Sequence, residues 1–104
     1  MPSVSYAGTP VDVDNDGFII DGRAWTAPMG EAIASESGLQ MTPAHWKVVN
    51  FARADFLKEG QSPGPRRITA NTGVTTKELY QLFPKGPGKL VAKIAGIPKP
   101  KSCL

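Results

Sequence analysis

Residues 3–21 alternate between short apolar runs and turn-forming residues, which is the pattern of small antiparallel strands. The apolar runs lie at residues 4–6, 11–13 and 18–20, and the turn residues between them lie at residues 8–10 and 15–17. Asp16-Gly17 favours a tight hairpin because glycine accepts the positive φ of such a turn. The pattern predicts a three-stranded β-meander over residues 3–21.

From residue 28 onward, apolar positions recur at helical spacing and are punctuated by proline and glycine. Pro28, Pro43 and Pro87 suit the first turn of a helix, whereas Gly60 and Gly96 suit the position after the last turn. The expected helices cover about residues 28–37, 42–59, 66–72, 75–83 and 87–95. The fold class that follows is α+β, with the meander packed on a cluster of about five helices.

Length and composition restrict the class of protein. The 104 residues suffice for one modest core, and 40% hydrophobic with 20% charged residues is ordinary for a globular domain. No apolar run approaches the roughly 20 residues that cross a bilayer. The N-terminal residues have neither the basic start nor the apolar stretch of a secretory signal. We therefore expect one domain, residues 1–97, in a cytoplasmic protein with no membrane contact.

Charge is unevenly distributed along the chain. The net charge is +3, but eight of the twelve Lys and Arg residues follow Gly60, where Glu78 is the only acid. Such a basic half attracts an acidic protein surface, an oxyanion or nucleic acid. A solvated basic face without a specific partner fits the same pattern.

The single cysteine, Cys103, is the penultimate residue and follows Pro98, Lys99, Pro100 and Lys101. Proline disfavours helix and central strand, so residues 98–104 are expected to form an extended, flexible arm that spans roughly 20–25 Å. A single thiol forms no internal disulfide and fits a reducing compartment. The arm could present a working thiol to another protein, although a chemically inert terminal cysteine is the alternative.

The residues next to Cys103 in the sequence do little to favour its reactive thiolate form. An ordinary cysteine pKa of about 8.5 leaves only a few per cent of thiolate at pH 7. Lys99 and Lys101 favour the thiolate and the C-terminal carboxylate opposes it, and solvent screens both effects. We expect activation to occur inside a partner's pocket.

Other candidate sites have weaker support. His45, the only histidine, lies within an apolar helical stripe, where a hydrogen-bonded core histidine is more usual than a catalytic base. Residues 12–17 match the opening of a calcium loop, but its twelfth position is Arg23 instead of glutamate. Without a second histidine or cysteine, a zinc site is disfavoured. No metal or cofactor is expected.

The two short helices expected at residues 66–72 and 75–83 meet at Gly73 and resemble a helix-turn-helix. The second of them carries one lysine, Lys77, and an apolar side. Helix pairs of this kind more often fill a core than read DNA bases. Direct binding of nucleic acid is therefore not expected.

Several stretches resemble hallmark sequences of the DsrC/TusE family. They lie at residues 16–18, at Trp25, and at residues 42–51, 79–87 and 93–104, and the last stretch contains the pattern Ile-Pro-Lys-Pro-Lys-Ser-Cys-Leu. The resemblance implies a β-meander on a helical cluster with a movable C-terminal arm. It also implies that Cys103 carries sulfur, as a persulfide, between sulfur-donor and sulfur-acceptor proteins, which in this family include sulfite reductase subunits.

Departures from the family pattern bear on the branch. Members of the DsrC type have a second cysteine where this chain has Ala92, and without it the arm cannot close an internal disulfide. This favours the TusE type, which relays sulfur toward tRNA 2-thiouridine. The alternatives are a gamma-like subunit of dissimilatory sulfite reductase, a related sulfur-trafficking protein or a DNA-binding regulator. The stretch between Arg67 and Leu79 is expected to be several residues shorter than in the family.

The resemblance also suggests residues that assist Cys103. An arginine after the long helix of the family falls at Arg66, which would hold the arm or an anionic sulfur together with Lys99 and Lys101. An ordinary surface arginine is the alternative for Arg66.

Overall fold

A computed structural model describes residues 2–101. Its elements, in chain order, are β1 Ser3–Tyr6, β2 Thr9–Asp12, a short 3-10 helix Gly22–Ala24, α1 Ala27–Glu36, α2 Pro43–Glu59, α3 Pro65–Thr72, α4 Thr76–Leu82 and α5 Pro87–Ala95. Two antiparallel strands and five α-helices within the described residues confirm the α+β class. No helix among them is long and apolar enough to cross a membrane.

β1 and β2 form a hairpin around a two-residue turn. Ala7 and Gly8 have φ values of 52° and 80°, and both central residues of a type I′ turn require such positive angles. The pairing of Tyr6 with Thr9 therefore closes the hairpin directly. Thr9 and Pro10, which the sequence pattern assigns to the turn, belong to β2 instead.

The expected third strand is wrong as a strand. Residues 18–20 return antiparallel to the end of β2, but within residues 2–101 this pairing amounts to one isolated bridge, between Val13 and Ile19. The turn before it is held by Asp14, whose Oδ1 accepts bonds from the backbone nitrogens of Asp16 and Phe18, each at 2.9 Å. The chain then enters the 3-10 helix, so the pairing with β2 extends no further.

Proline and glycine mark most of the helix ends. Each of α1, α2, α3 and α5 has a proline in its first two positions. α2, α3 and α5 are followed by Gly60, Gly73 and Gly96 in the left-handed conformation. α4 has neither signal and begins instead at a capping box formed by Thr75 and Glu78. The bounds of all five helices lie within one residue of the expected ones.

The core centres on α5, which packs against α1, α2 and α4. Most of its residues are buried, among them Leu90, Val91, Ala92, Ile94 and Ala95. Gly30 of α1 permits the close approach, since a Cβ there would lie 2.9 Å from the Trp25 ring and 3.1 Å from the Ile94 carbonyl oxygen. The central helix ends at Gly96, and the chain stays in the core as far as Ile97 before it reaches the surface at Pro98.

Candidate functional site

The end of α5 is fixed to the body by Trp25. The indole Nε1 of Trp25 donates to the carbonyl oxygen of Ile94 at 2.8 Å. Gly96, with φ of 69°, lies so close to Trp25 that a Cβ would overlap three atoms of that side chain, namely Cδ1 and Cγ of the ring and the Cβ. The direction in which the chain leaves α5 is therefore set by a contact that only glycine allows.

Arg53 of α2 reinforces the same point. Its guanidinium donates to the carbonyl oxygens of Ala95 at 2.7 Å and of Gly22 at 3.2 Å, and lies 4.1 Å from the centre of the Trp25 ring. Burial lowers the pKa of Arg53, yet an arginine keeps its charge in a protein. A cation at the C-terminus of a helix also opposes the negative end of the helix dipole.

Residues 97–101 lie along the body, held by alternate contacts. Ile97 is 2% exposed and Pro100 is fully buried. Between them, the carbonyl oxygen of Pro98 accepts a 2.5 Å hydrogen bond from Ser62 Oγ, and Lys99 Nζ lies 3.9 Å from Asp16 Oδ2. The described part of the arm is therefore anchored as far as Pro100.

Two separate grooves flank this segment. The first, the tail groove, has a volume of about 880 Å³ and is lined by residues 61–67 and by Asp55, Glu59, Ala70, Asn71, Thr76, Tyr80 and Lys101. The second, the lysine groove, has a volume of about 490 Å³ and is lined by Asp16, Phe18, Glu36, Ser37, Lys85, Lys89, Leu90, Lys93 and Lys99. The last described residue, Lys101, thus lies in the tail groove.

An ion pair between a buried carboxylate, Asp55, and the exposed Arg67 lies in the wall of the tail groove. Arg67 donates two hydrogen bonds to Asp55, at 2.7 and 2.8 Å, and Asp55 is only 5% exposed. These bonds hold the pKa of the Asp55 carboxyl below its ordinary value. The pair ties α3, the helix that carries Arg66, to α2.

The structure brings some of the expected site residues together. Arg66 and Lys101 line the tail groove, whereas Lys99 lines the lysine groove. Cys103 lies outside the described residues, so its expected role stays a prediction. The division of the chain into a body of residues 1–97 and a flexible arm also stays a prediction.

Sequence patterns did not identify the residues that hold the end of α5 and the segment after it. Ser62 directly precedes a Pro-Gly-Pro stretch, whose pattern indicates only a break between helices. Trp25 and Arg53 are distant from α5 in sequence, and no short-range pattern links them to Ile94 or Ala95. Their roles arise from tertiary packing alone.

His45 is confirmed as a hydrogen-bonded core residue, 7% exposed. Its Nε2 lies 2.9 Å from the Leu82 carbonyl oxygen, which only accepts, so this nitrogen carries a proton. Its Nδ1 accepts from the Thr42 backbone nitrogen at 3.1 Å and completes a capping box at the start of α2. Both ring nitrogens are thus engaged in structure.

Among residues 2–101 there is no group of three or more His, Cys, Asp or Glu that could hold a metal ion. The described residues instead provide a charged groove next to an anchored C-terminal segment. The class of protein that this arrangement defines is a small α+β domain whose C-terminal segment packs on the body as far as Pro100.

A family model described as "DsrC like protein" matches residues 5–104, so the chain belongs to the DsrC-like family. It is 38% identical to the dissimilatory-type sulfite reductase subunit gamma of Nitratidesulfovibrio vulgaris, with all of both chains covered. It is 34% identical to sulfurtransferase TusE of Escherichia coli K12, over 95% of this chain and 97% of TusE. The solution structure of Allochromatium vinosum DsrC superposes with a TM-score of 0.84 at 28% identity, covering 98% of this chain and 97% of that one.

The alignments correct one expectation about length. The alignment with the N. vulgaris subunit spans 105 positions and includes all 104 residues of this chain, which leaves no room for a missing stretch of several residues. The alignment with E. coli TusE spans 106 positions but includes only 95% of this chain, so several positions have no residue of this chain opposite them. The expected shortening is therefore wrong for the sulfite reductase subunit.

Proposed function

We propose that this protein is a sulfur-relay protein that carries sulfane sulfur as a persulfide on Cys103 between a donor and an acceptor protein. The observation that carries the proposal is the extent of the family match, which runs to Leu104 and so includes the penultimate cysteine. Both relatives named above, a sulfurtransferase and a sulfite reductase subunit, have names that belong to sulfur metabolism.

The proposed step needs no cofactor or external oxidant. The Cys103 thiolate attacks the terminal sulfur of a donor persulfide, a new S–S bond forms, and the donor's own S–S bond breaks. The donor leaves as a thiolate with the bonding electron pair. The acceptor reverses this exchange at Cys103, so the protein is a transferase component and not a self-contained enzyme.

Anchoring of the C-terminal segment supports this role. Cys103 follows Lys101 by two residues, which span about 7 Å when extended. Lys101 lies in the tail groove with Arg66, and two cations near a thiol favour its ionised form. We therefore propose Arg66 and Lys101 as residues that assist an anionic sulfur, and Lys99 as one that positions the segment.

The acceptor defines the branch of the family. Ala92, 1% exposed on the buried side of α5, stands where the DsrC type has its second cysteine, and this favours a single-thiol relay toward tRNA 2-thiouridine, as in the TusE type. The second candidate is a gamma-like partner of dissimilatory sulfite reductase, favoured by the alignment that covers both chains completely. Donor and acceptor proteins are the proposed partners in a cytoplasmic location.

Complementation tests the proposal. In E. coli lacking TusE, the wild-type chain should restore 2-thiouridine in tRNA, measured by nucleoside mass spectrometry, and C103S should not. Restoration by C103S would eliminate the carrier role. If neither chain restores it, trapping with persulfide-reactive alkylating agents in cells that contain dissimilatory sulfite reductase tests the second candidate, where labelling must again depend on Cys103.

A further inference from the structure

The lysine groove concentrates positive charge beside the C-terminal segment. Lys89 and Lys93 lie one helical turn apart on the outer face of α5, Lys85 precedes that helix, and Lys99 extends from the segment. The apolar side chains of Phe18 and Leu90 also line the groove and are 4% and 8% exposed. The groove therefore combines a cationic rim with an apolar floor.

The carboxylates in the groove neutralise only part of this charge. Asp16 and Glu36 line it, and Asp16 lies 3.9 Å from the Lys99 ammonium. The end of the Lys93 side chain lies over Gly17, 3.2 Å from where a Cβ would be. Within residues 2–101, Lys85 and Lys89 make no ion pair within 4 Å. An excess of two positive charges remains for a ligand.

We propose that the lysine groove is the docking surface for an acidic segment of the protein that exchanges sulfur with Cys103. The inference rests on the proposed function, because it assigns a partner-binding surface to the same relay. Complementary charge raises association rates and orients the partners, which a brief transfer between two proteins requires. The groove adjoins the segment that leads to the thiol, so a partner bound there is close to the arm.

Groove chemistry favours protein carboxylates over nucleic acid. Asp16 and Glu36 repel a continuous phosphate backbone, whereas a protein surface can present amides or cations opposite them. The lining residues include no arginine for bidentate phosphate contact and no exposed aromatic ring for base stacking. Leu90 and Phe18 instead offer a contact for an apolar residue within an acidic segment.

Lys99 links docking to the segment itself. Its ammonium contacts Asp16 in the free protein, and a partner carboxylate in the groove would compete for the same cation. The affinity for an acidic segment therefore depends on Lys99 as well as on the lysines of α5. Dependence on a residue of the C-terminal segment distinguishes this groove from a general basic patch.

Binding of a fluorescent ten-residue glutamate peptide at low ionic strength tests this inference. The double variant K89E/K93E should bind about tenfold more weakly than the wild type, and K99A should bind measurably more weakly. K77E is the control for charge reversal outside the groove, because Lys77 is exposed on α4 and does not line the groove. It is compared with the single variant K89E, which changes the net charge by the same amount. The K77E protein should retain the wild-type affinity, and K89Q/K93Q repeats the test without reversed charge if the double variant does not fold.

Three results would overturn the inference: equal loss of affinity in K77E, unchanged affinity in K89E/K93E, or groove-dependent binding of tRNA without binding of the peptide. The proposed function is tested separately by intact-mass measurement after exposure to polysulfide. Wild type and K89E/K93E should each gain labile sulfur that C103S lacks. Peptide binding without this gain of sulfur would contradict the proposed relay function but leave the groove as a binding surface for acidic peptides. Gain of sulfur without groove-dependent binding would contradict only the proposed docking surface.

Discussion

Trp25 and Gly96 lie in contact so close that no side chain fits at position 96. We predict that G96A destabilises the protein by about 3–4 kcal/mol, because the left-handed φ of 69° and overlap with the indole act together. G38A is the matched control, since Gly38 also has a left-handed φ, 79°, but open space around it. It should cost about 1–2 kcal/mol in urea unfolding. Equal costs for the two variants would contradict the contact.

Arg53 should prove more important for stability than its partly exposed position suggests. R53A removes two hydrogen bonds to backbone carbonyls and the contact with Trp25, and we expect a loss of about 2–3 kcal/mol in the free energy of unfolding. Arg23, whose side chain is 92% exposed, is the control, and R23A should leave stability unchanged. A similar loss in both variants would argue against the proposed anchoring of α5.

Stability should fall in acid through Asp55. Arg67 lowers the folded-state pKa of this carboxyl from its ordinary 3.8, so the folded state is favoured while Asp55 is ionised. That contribution is fully present above about pH 4–5 and is lost as the pH falls from there through the folded-state pKa. Urea unfolding between pH 2 and 7 measures it. D55N should be less stable at pH 7 and show a smaller decline on acidification; an unchanged decline would assign the effect to other carboxyls.

His45 should contribute to stability through both ring nitrogens. H45A leaves the Leu82 carbonyl and the Thr42 amide without their partner, and we expect a loss of about 2–3 kcal/mol. H45Q is informative, because glutamine at the third position of a helix can complete a capping box. Its stability should lie between those of the wild type and H45A, and equal stability of H45Q and H45A would mean that the cap contributes nothing.

Ser62 should hold the C-terminal segment with little effect on the body. S62A removes the hydrogen bond to the Pro98 carbonyl, and we expect the segment to lose about 1 kcal/mol of local stability while the global free energy of unfolding is unchanged. Amide exchange at Lys99 and Lys101 should accelerate several-fold by NMR, while exchange within α5 is unchanged. S35A, at an exposed site on α1, should alter neither, and unchanged exchange in S62A would show that the segment is held by other contacts.

Local sequence signals account for much of this fold, because they act over a few residues. Pro43 with Gly60, and Pro87 with Gly96, mark helix ends through backbone geometry that does not depend on the rest of the chain. The sequence did not show that the third strand would be reduced to a single bridge. The backbone nitrogen of Phe18 donates to the side chain of Asp14 within the turn. Arg53 with Ala95 and Ser62 with Pro98 are contacts between distant residues, and they exist only once α5 is packed.

The candidate site was predicted in part. Positive charge next to Cys103 suggested Lys99 and Lys101, and the family resemblance suggested Arg66. Their distribution between two grooves depends on the path of the segment after Gly96. The buried Asp55, which orients the neighbour of Arg66, resembles any helical acid in sequence. The periodicity within one helix does not show that Asp55 is buried against a residue of another helix.

The separation of Lys99 and Lys101 between two grooves makes the order of residues in the tail a determinant of recognition. Prolines favour a left-handed extended helix of three residues per turn, in which side chains two positions apart point about 120° away from each other. Exchanging Lys101 with Ser102 would place the second ammonium a full turn after the first, on the same side. Charge, length and composition would be identical, yet such a permuted tail would offer both cations to one groove and none to the other.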